Sequence, residues 1–130
     1  MAVLSSLAPN LVQSIRAFRV NDLQSEATGL GQHFLYAYCG DAQSKEAVLS
    51  RVATSFCFPP HFGQNFDALY DCLTDLLHKS GSQAGFVIVL EQLPHTPEFD
   101  REARETLLDV FRDAADYWGK KGVCFRVFYS

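Results

Sequence analysis

The run Gly85 to Leu90, Gly-Phe-Val-Ile-Val-Leu, constrains this chain more than any other segment. It is apolar throughout and shows no alternation, so neither side of a strand built from it can face water. Such a strand must be covered on both faces, which places it at the centre of a parallel sheet. Parallel strands need long crossovers, and these are right-handed by default. A chain of 130 residues is long enough to supply them within one domain that buries roughly two-thirds of its unfolded surface.

Strand and helix signals alternate on either side of that run. His33 opens the aromatic-rich run Phe34-Leu35-Tyr36-Ala37-Tyr38, which ends at Gly40 and reads as a strand. Ser44 can cap a helix carrying Val48, Leu49, Val52, Ala53 and Phe56 on one face, and Pro59-Pro60 stops it. Gly63-Gln64-Asn65 supplies a turn and a cap for a second helix, Phe66 to about Leu77. Thr96-Pro97 predicts the start of a third helix, with Leu107, Leu108, Phe111, Ala114, Ala115 and Trp118 at helical spacing and Gly119 and Gly122 as its stop. Val123 to Tyr129 forms the last strand.

The expected architecture is a small, three-layer-like α/β fold: a parallel sheet of three strands with crossover helices. Residues 1–32 form an N-terminal extension and 33–130 the main domain. In the extension, Leu4, Leu7, Leu11, Val12, Ile15 and Phe18 recur at helical spacing, but Pro9 interrupts them. Arg16 to Val20 is read instead as a short strand, a fourth for the sheet. It leads to a helix capped by Asn21 and stopped by Gly29 or Gly31.

Eleven Lys and Arg against fifteen Asp and Glu give a net charge of -4, which argues against direct grip on nucleic acid and for a basic partner. Cys39, Cys57, Cys72 and Cys124 include no C-x-x-C pair and are read as reduced core thiols. No apolar run approaches the roughly 20 residues that span a bilayer, and the N-terminus lacks a charged leader region. No membrane association and a cytoplasmic location are expected.

The second helix carries the distinctive chemistry. At 100° per residue, Phe66, Leu69, Tyr70, Leu73, Leu76 and Leu77 fall within about 120° of arc, the width of a buried stripe. Asp67, Asp71 and Asp75 share another face at i, i+4 steps, where each like-charged pair costs about 0.2 to 0.5 kcal/mol. No Lys or Arg occurs between Arg51 and Lys79 to relieve them. Asp75 also sits near the C-terminal end, where the macrodipole disfavours an anion. The bland alternative is a solvated acidic face. With Tyr70 and Thr74 beside the carboxylates, the patch has the mixed chemistry of a binding hot spot.

The segment Phe58-Pro59-Pro60-His61-Phe62-Gly63-Gln64-Asn65-Phe66-Asp67-Ala68-Leu69-Tyr70-Asp71-Cys72-Leu73-Thr74 closely resembles the signature of the barstar family, intracellular inhibitors of ribonucleases. Leu107-Leu108-Asp109-Val110-Phe111-Arg112-Asp113-Ala114 resembles its last helix, so the likeness covers His33 onward. The resemblance implies a non-enzymatic inhibitor, with no cofactor, catalytic residue or metal, that as a monomer occludes the active site of a basic ribonuclease or nuclease toxin.

It further implies that Asp71 enters that site where a substrate phosphate would lie, and that Asp67 pairs with a neighbouring basic group. Tyr70 stands where the family has Trp, Thr74 keeps its hydroxyl, Gly63 keeps the turn and His61 replaces a packing aromatic. Asp113 stands for a Glu making an outlying ion pair. Asp75 replaces a Gly and Leu76 a Trp, departures that point to a cognate enzyme other than barnase.

Two other readings use the same residues. One keeps the fold as an interaction module without inhibition. The other makes Asp67, Asp71 and Asp75, with His78, ligands for Mg²⁺ or Mn²⁺ in phosphoryl chemistry. Cys57 and His61 suggest zinc or a Cys-His nucleophile only weakly, because Pro59-Pro60 breaks their alignment.

Overall fold

The computed structural model describes residues 4, 8–16, 18–58, 65–75 and 85–130. Among these, strands β1 (Asn10–Ser14), β2 (His33–Tyr38), β3 (Gly85–Glu91) and β4 (Cys124–Tyr129) form one parallel sheet in the order β1-β4-β3-β2. Helices α1 (Val20–Gly29), α2 (Lys45–Ser55), α3 (Phe66–Thr74) and α4 (Arg101–Lys120) lie in the connections.

Gly85 to Leu90 is buried at every position, as its composition requires. Phe86, Ile88 and Leu90 face a core built with Val48, Leu49 and Val52 of α2, Leu69 and Leu73 of α3, and the apolar stripe of α4. Val87 and Val89 face the other way, onto Leu23 and Ala27 of α1 and Phe128 of β4. The two-sided arrangement follows from handedness. The chain crosses the sheet in one direction from β1 to β2 and in the other from β2 through β3 to β4. Right-handed crossovers therefore place α1 on one face and α2, α3 and α4 on the other.

Two caps form as their sequences predict. Ser44 Oγ accepts the Ala47 N–H at 3.1 Å, and Asn65 Oδ1 accepts the Ala68 N–H at 2.7 Å. The start of α4 does not. Thr96 is engaged elsewhere: its hydroxyl donates to the Gln43 carbonyl at 2.6 Å and accepts the Phe99 N–H. Phe99 is fully buried, and the helix begins only at Arg101, with Asp100 accepting the Ala103 N–H. At the other end Gly119 lies inside the helix, which runs to Lys120 and closes at Gly122 with φ +73.

The fourth strand is real but sits at Asn10–Ser14, six residues before the predicted Arg16 to Val20. Long-range contacts decide its place. The Asn10 side-chain amide donates to the carbonyls of Ala115 at 2.9 Å and Val123 at 3.0 Å. Pro9 can precede this strand because only its carbonyl is needed, to accept the Phe125 N–H at 3.0 Å. Gly119 makes the approach fit, since a Cβ there would lie 3.3 Å from Asn10 Cγ. Asn21 is not the cap of α1; Arg19 takes that position without a side-chain hydrogen bond.

The four cysteines are free, but Cys57 is exposed at a left-handed φ of 58, so it is not a core thiol. Cys39 is buried, and desolvation outweighs the nearby Arg51 to push its thiol up to about 11. Cys72 and Cys124 are half-buried. Arg126, on an interior strand, is covered by the N-terminal segment and donates to the Ala8 carbonyl at 3.2 Å.

Two outcomes are expected from this packing. Asn10→Ala leaves two carbonyls without their donor and should cost about 1 to 3 kcal/mol in urea denaturation. The exposed Leu11→Ala on the same strand should shift stability by less than about 0.5 kcal/mol. Tyr36 supplies the second. Burial, then its hydrogen bond to Glu91 and that group's charge, push the phenol up to about 12. The folded state thus holds this proton where the unfolded chain loses it, above about pH 10. The stability Tyr36 contributes is full below that pH and lost as pH rises through about 12. Alkaline denaturation of Tyr36→Phe should lack that component.

Candidate functional site

Helix α3 is short, so its position depends on its anchors. Asn65 satisfies an N-terminal donor, Leu69 and Leu73 are fully buried, and the Trp118 indole N–H donates to the Leu73 carbonyl at 3.1 Å. That last bond satisfies an otherwise orphan carbonyl and ties the C-terminal end of α3 to α4. Phe66 at the start of α3 is half-buried, with the Lys45 ammonium 5.4 Å from its ring centre.

What remains outside is the acidic face. Asp67, Asp71 and Asp75 are exposed, whereas Tyr70 and Thr74 are half-buried at the border of the leucine stripe. The Thr74 hydroxyl donates back to the Tyr70 carbonyl at 2.9 Å, which leaves its oxygen free to accept. The helix ends at Thr74, with Asp75 as its C-cap. Asp67, Asp71 and Asp75 form no ion pair among the described residues.

Helices α3 and α4 enclose a groove of about 770 Å³. One wall is Phe66, Asp67, Tyr70 and Asp71; the other includes Asp109, Val110, Asp113, Asp116 and Tyr117, with Lys120 at the end. The expected residues Asp67, Tyr70, Asp71 and Asp113 thus share a single concavity. Thr74, the last residue of α3, and Asp75, its C-cap, do not line it. His61 and Gly63 fall outside the described residues, as do Leu76, Leu77 and His78.

The second wall holds acids that the α3 pattern alone did not identify. Asp109, Asp113 and Asp116 follow one another at i, i+4 and i+7, a spacing that puts them on one helix face and was legible in the sequence. Arg112 neutralises one of them, at 2.7 Å from Asp109, and also lies 3.9 Å from Glu105. Both ion pairs are solvated and contribute little to stability. Asp67, Asp71, Asp113 and Asp116 remain, with Lys120 as the one cation lining the described groove.

Carboxylates on opposed rigid helices, over a floor of Phe66, Tyr70, Val110 and Tyr117, suit a cationic and partly apolar protein surface. Among the described residues no three acidic, His or Cys side chains are grouped to hold a metal ion; His78 lies outside those residues. No described helix is long and apolar enough to cross a membrane.

No curated protein matches the chain. The family model described as Barstar (barnase inhibitor) matches residues 32–130, from the start of β2 to the end of the chain. That match takes in α3, α4 and the groove between them and leaves β1 and α1 before it. It covers well over half of the sequence, and the chain therefore belongs to the barstar family.

Proposed function

We propose that the protein inhibits a small basic ribonuclease or nuclease toxin by seating the carboxylates of α3 in its phosphate-binding site. Family membership supports a ribonuclease-inhibitor-like role in general. The observation that carries the finer reading is the wall formed by exposed Asp67 and Asp71 with half-buried Tyr70 between them. It faces Asp113 and Asp116 across a groove with a partly aromatic floor.

A ribonuclease site is a cationic concavity adapted to a phosphodiester. A carboxylate accepts the same charge-assisted hydrogen bonds from Arg, Lys and His but offers no bond to cleave. Asp71, at mid-helix, is assigned the phosphate position, and Asp67, one turn earlier, a flanking basic group. Tyr70 packs between them against the partner, and the free acceptor of Thr74 extends the contact. Asp75 adds charge at its edge, and His61 and Gly63 belong to the loop preceding the helix. Asp113 supplies a peripheral ion pair. Inhibition is then occlusion, and no turnover by the isolated chain is involved.

The energetic cost of the acidic face supports a binding role. Like charges one helical turn apart destabilise α3 when the protein is free, and a basic partner relieves that repulsion when bound. Steering by these charges should make association fast and salt-sensitive.

The test is copurification of the tagged full-length protein from extract of its own cells, followed by ribonuclease assay of the eluate before and after the inhibitor is removed. Release of ribonuclease activity supports the reading. Asp71→Ala should then weaken the isolated pair by at least about 2 kcal/mol and Asp113→Ala by much less, measured by titration calorimetry. Equal and negligible losses for both variants would sink the assignment. A separate check is ionic strength: raising salt from low to physiological should slow association while changing dissociation little, as seen by stopped flow.

A further inference from the structure

A second concavity lies on the opposite face of the sheet from α3, at the carboxyl end of β2 and β3. Its volume is about 490 Å³, and its walls are Val20, Asn21 and Gln24 of α1, Phe34 and Tyr36 of β2, and Glu91 of β3. That size is within the usual range for small-ligand sites.

Side chains alternate along β3, so Val87, Val89 and Glu91 point to the same face. The two valines are fully buried against α1, and Glu91 follows them as a half-buried carboxylate at the rim of that core. Tyr36 pairs with Val89 and sits diagonally from Glu91; its hydroxyl donates to Glu91 Oε1. This bond fixes the plane of the carboxylate, and the raised ionisation point of Tyr36 keeps the donor protonated throughout the physiological range. Oε2 accepts no hydrogen bond from a described residue.

The backbone below is also held. Gln92 turns the chain at a φ of 63, its N–H donates to Ser130 Oγ, and the Leu93 N–H donates to the Ser130 carbonyl.

Among the described residues Glu91 is the one charged side chain on these walls, so the cleft favours a cation. A single carboxylate is too few oxygens for Ca²⁺ or Mg²⁺. An oriented carboxylate beside the rings of Phe34 and Tyr36 suits a planar fork of N–H donors that can stack as it binds. The side-chain amide oxygens of Asn21 and Gln24, at i and i+3 on α1, offer acceptors for the donors facing away from Glu91. We infer that this cleft binds a small guanidinium-bearing ligand through Glu91, with Phe34 and Tyr36 as its stacking walls. The inference does not rest on the inhibitor reading, because the two concavities share no described residue.

The experiment is an NMR titration of the full chain with agmatine, alongside 1,5-diaminopentane and guanosine. Agmatine should shift the resonances of the six wall residues and saturate with a Kd near about 1 mM. The diamine, which has charge but no planar fork, and guanosine, which has a planar donor edge but no charge, should each bind at least about tenfold more weakly. Glu91→Gln and Phe34→Leu should each weaken agmatine by at least about tenfold, with Glu46→Gln on the distant helix α2 unchanged. Where Glu91→Gln fails to fold, Phe34→Leu decides. Absence of agmatine shifts at about 20 mM, equal binding of either control compound, or full binding by Phe34→Leu overturns the inference.

Discussion

The burial of β3 on both faces is the constraint from which the rest of the molecule follows. Six consecutive apolar residues cannot be satisfied by one covering layer, so the chain must supply helices to each side of the sheet. One layer is α2, α3 and α4. The other is α1, drawn from the segment that precedes the family match. Without α1 the faces of Val87, Val89 and Phe128 would lack their cover, and without β1 the strand β4 would be an edge. The added N-terminal unit therefore completes the fold as well as preceding it.

The same constraint holds α3 where it can act. A nine-residue helix has little stability of its own. It is retained because Leu69 and Leu73 enter the core under β3 and because Trp118 holds the Leu73 carbonyl. Anchoring of the buried side is what lets the exposed side carry unrelieved negative charge. A carboxylate presented by a rigid backbone would lose little entropy on meeting the basic partner proposed for it, so a locally unfavourable arrangement would become favourable in that complex.

The opposition of α3 and α4 gives the acidic surface its shape. Acids on one helix would form a convex ridge, whereas Asp67 and Asp71 across from Asp113 and Asp116 make a groove with half-buried aromatic side chains along it. Lys120 at one end gives the groove a polarity along its length.

The central strand, the caps at Ser44 and Asn65, the leucine stripe of α3 and the acidic face beside it are all readable from the amino-acid order. These depend on side-chain periodicity and on hydrogen bonds three residues apart, which local spacing contains. Only the tertiary structure decided that the first strand begins at Asn10, because its anchors, Ala115 and Val123, lie more than a hundred residues away. It likewise decided that α4 starts after Phe99, whose burial and bond to Thr96 outcompete the Thr-Pro start signal. The pairing of Asp113 and Asp116 with the wall of α3 was decided there too. Each helix states which of its faces is polar, but the angle at which two helices meet is set by the core they share.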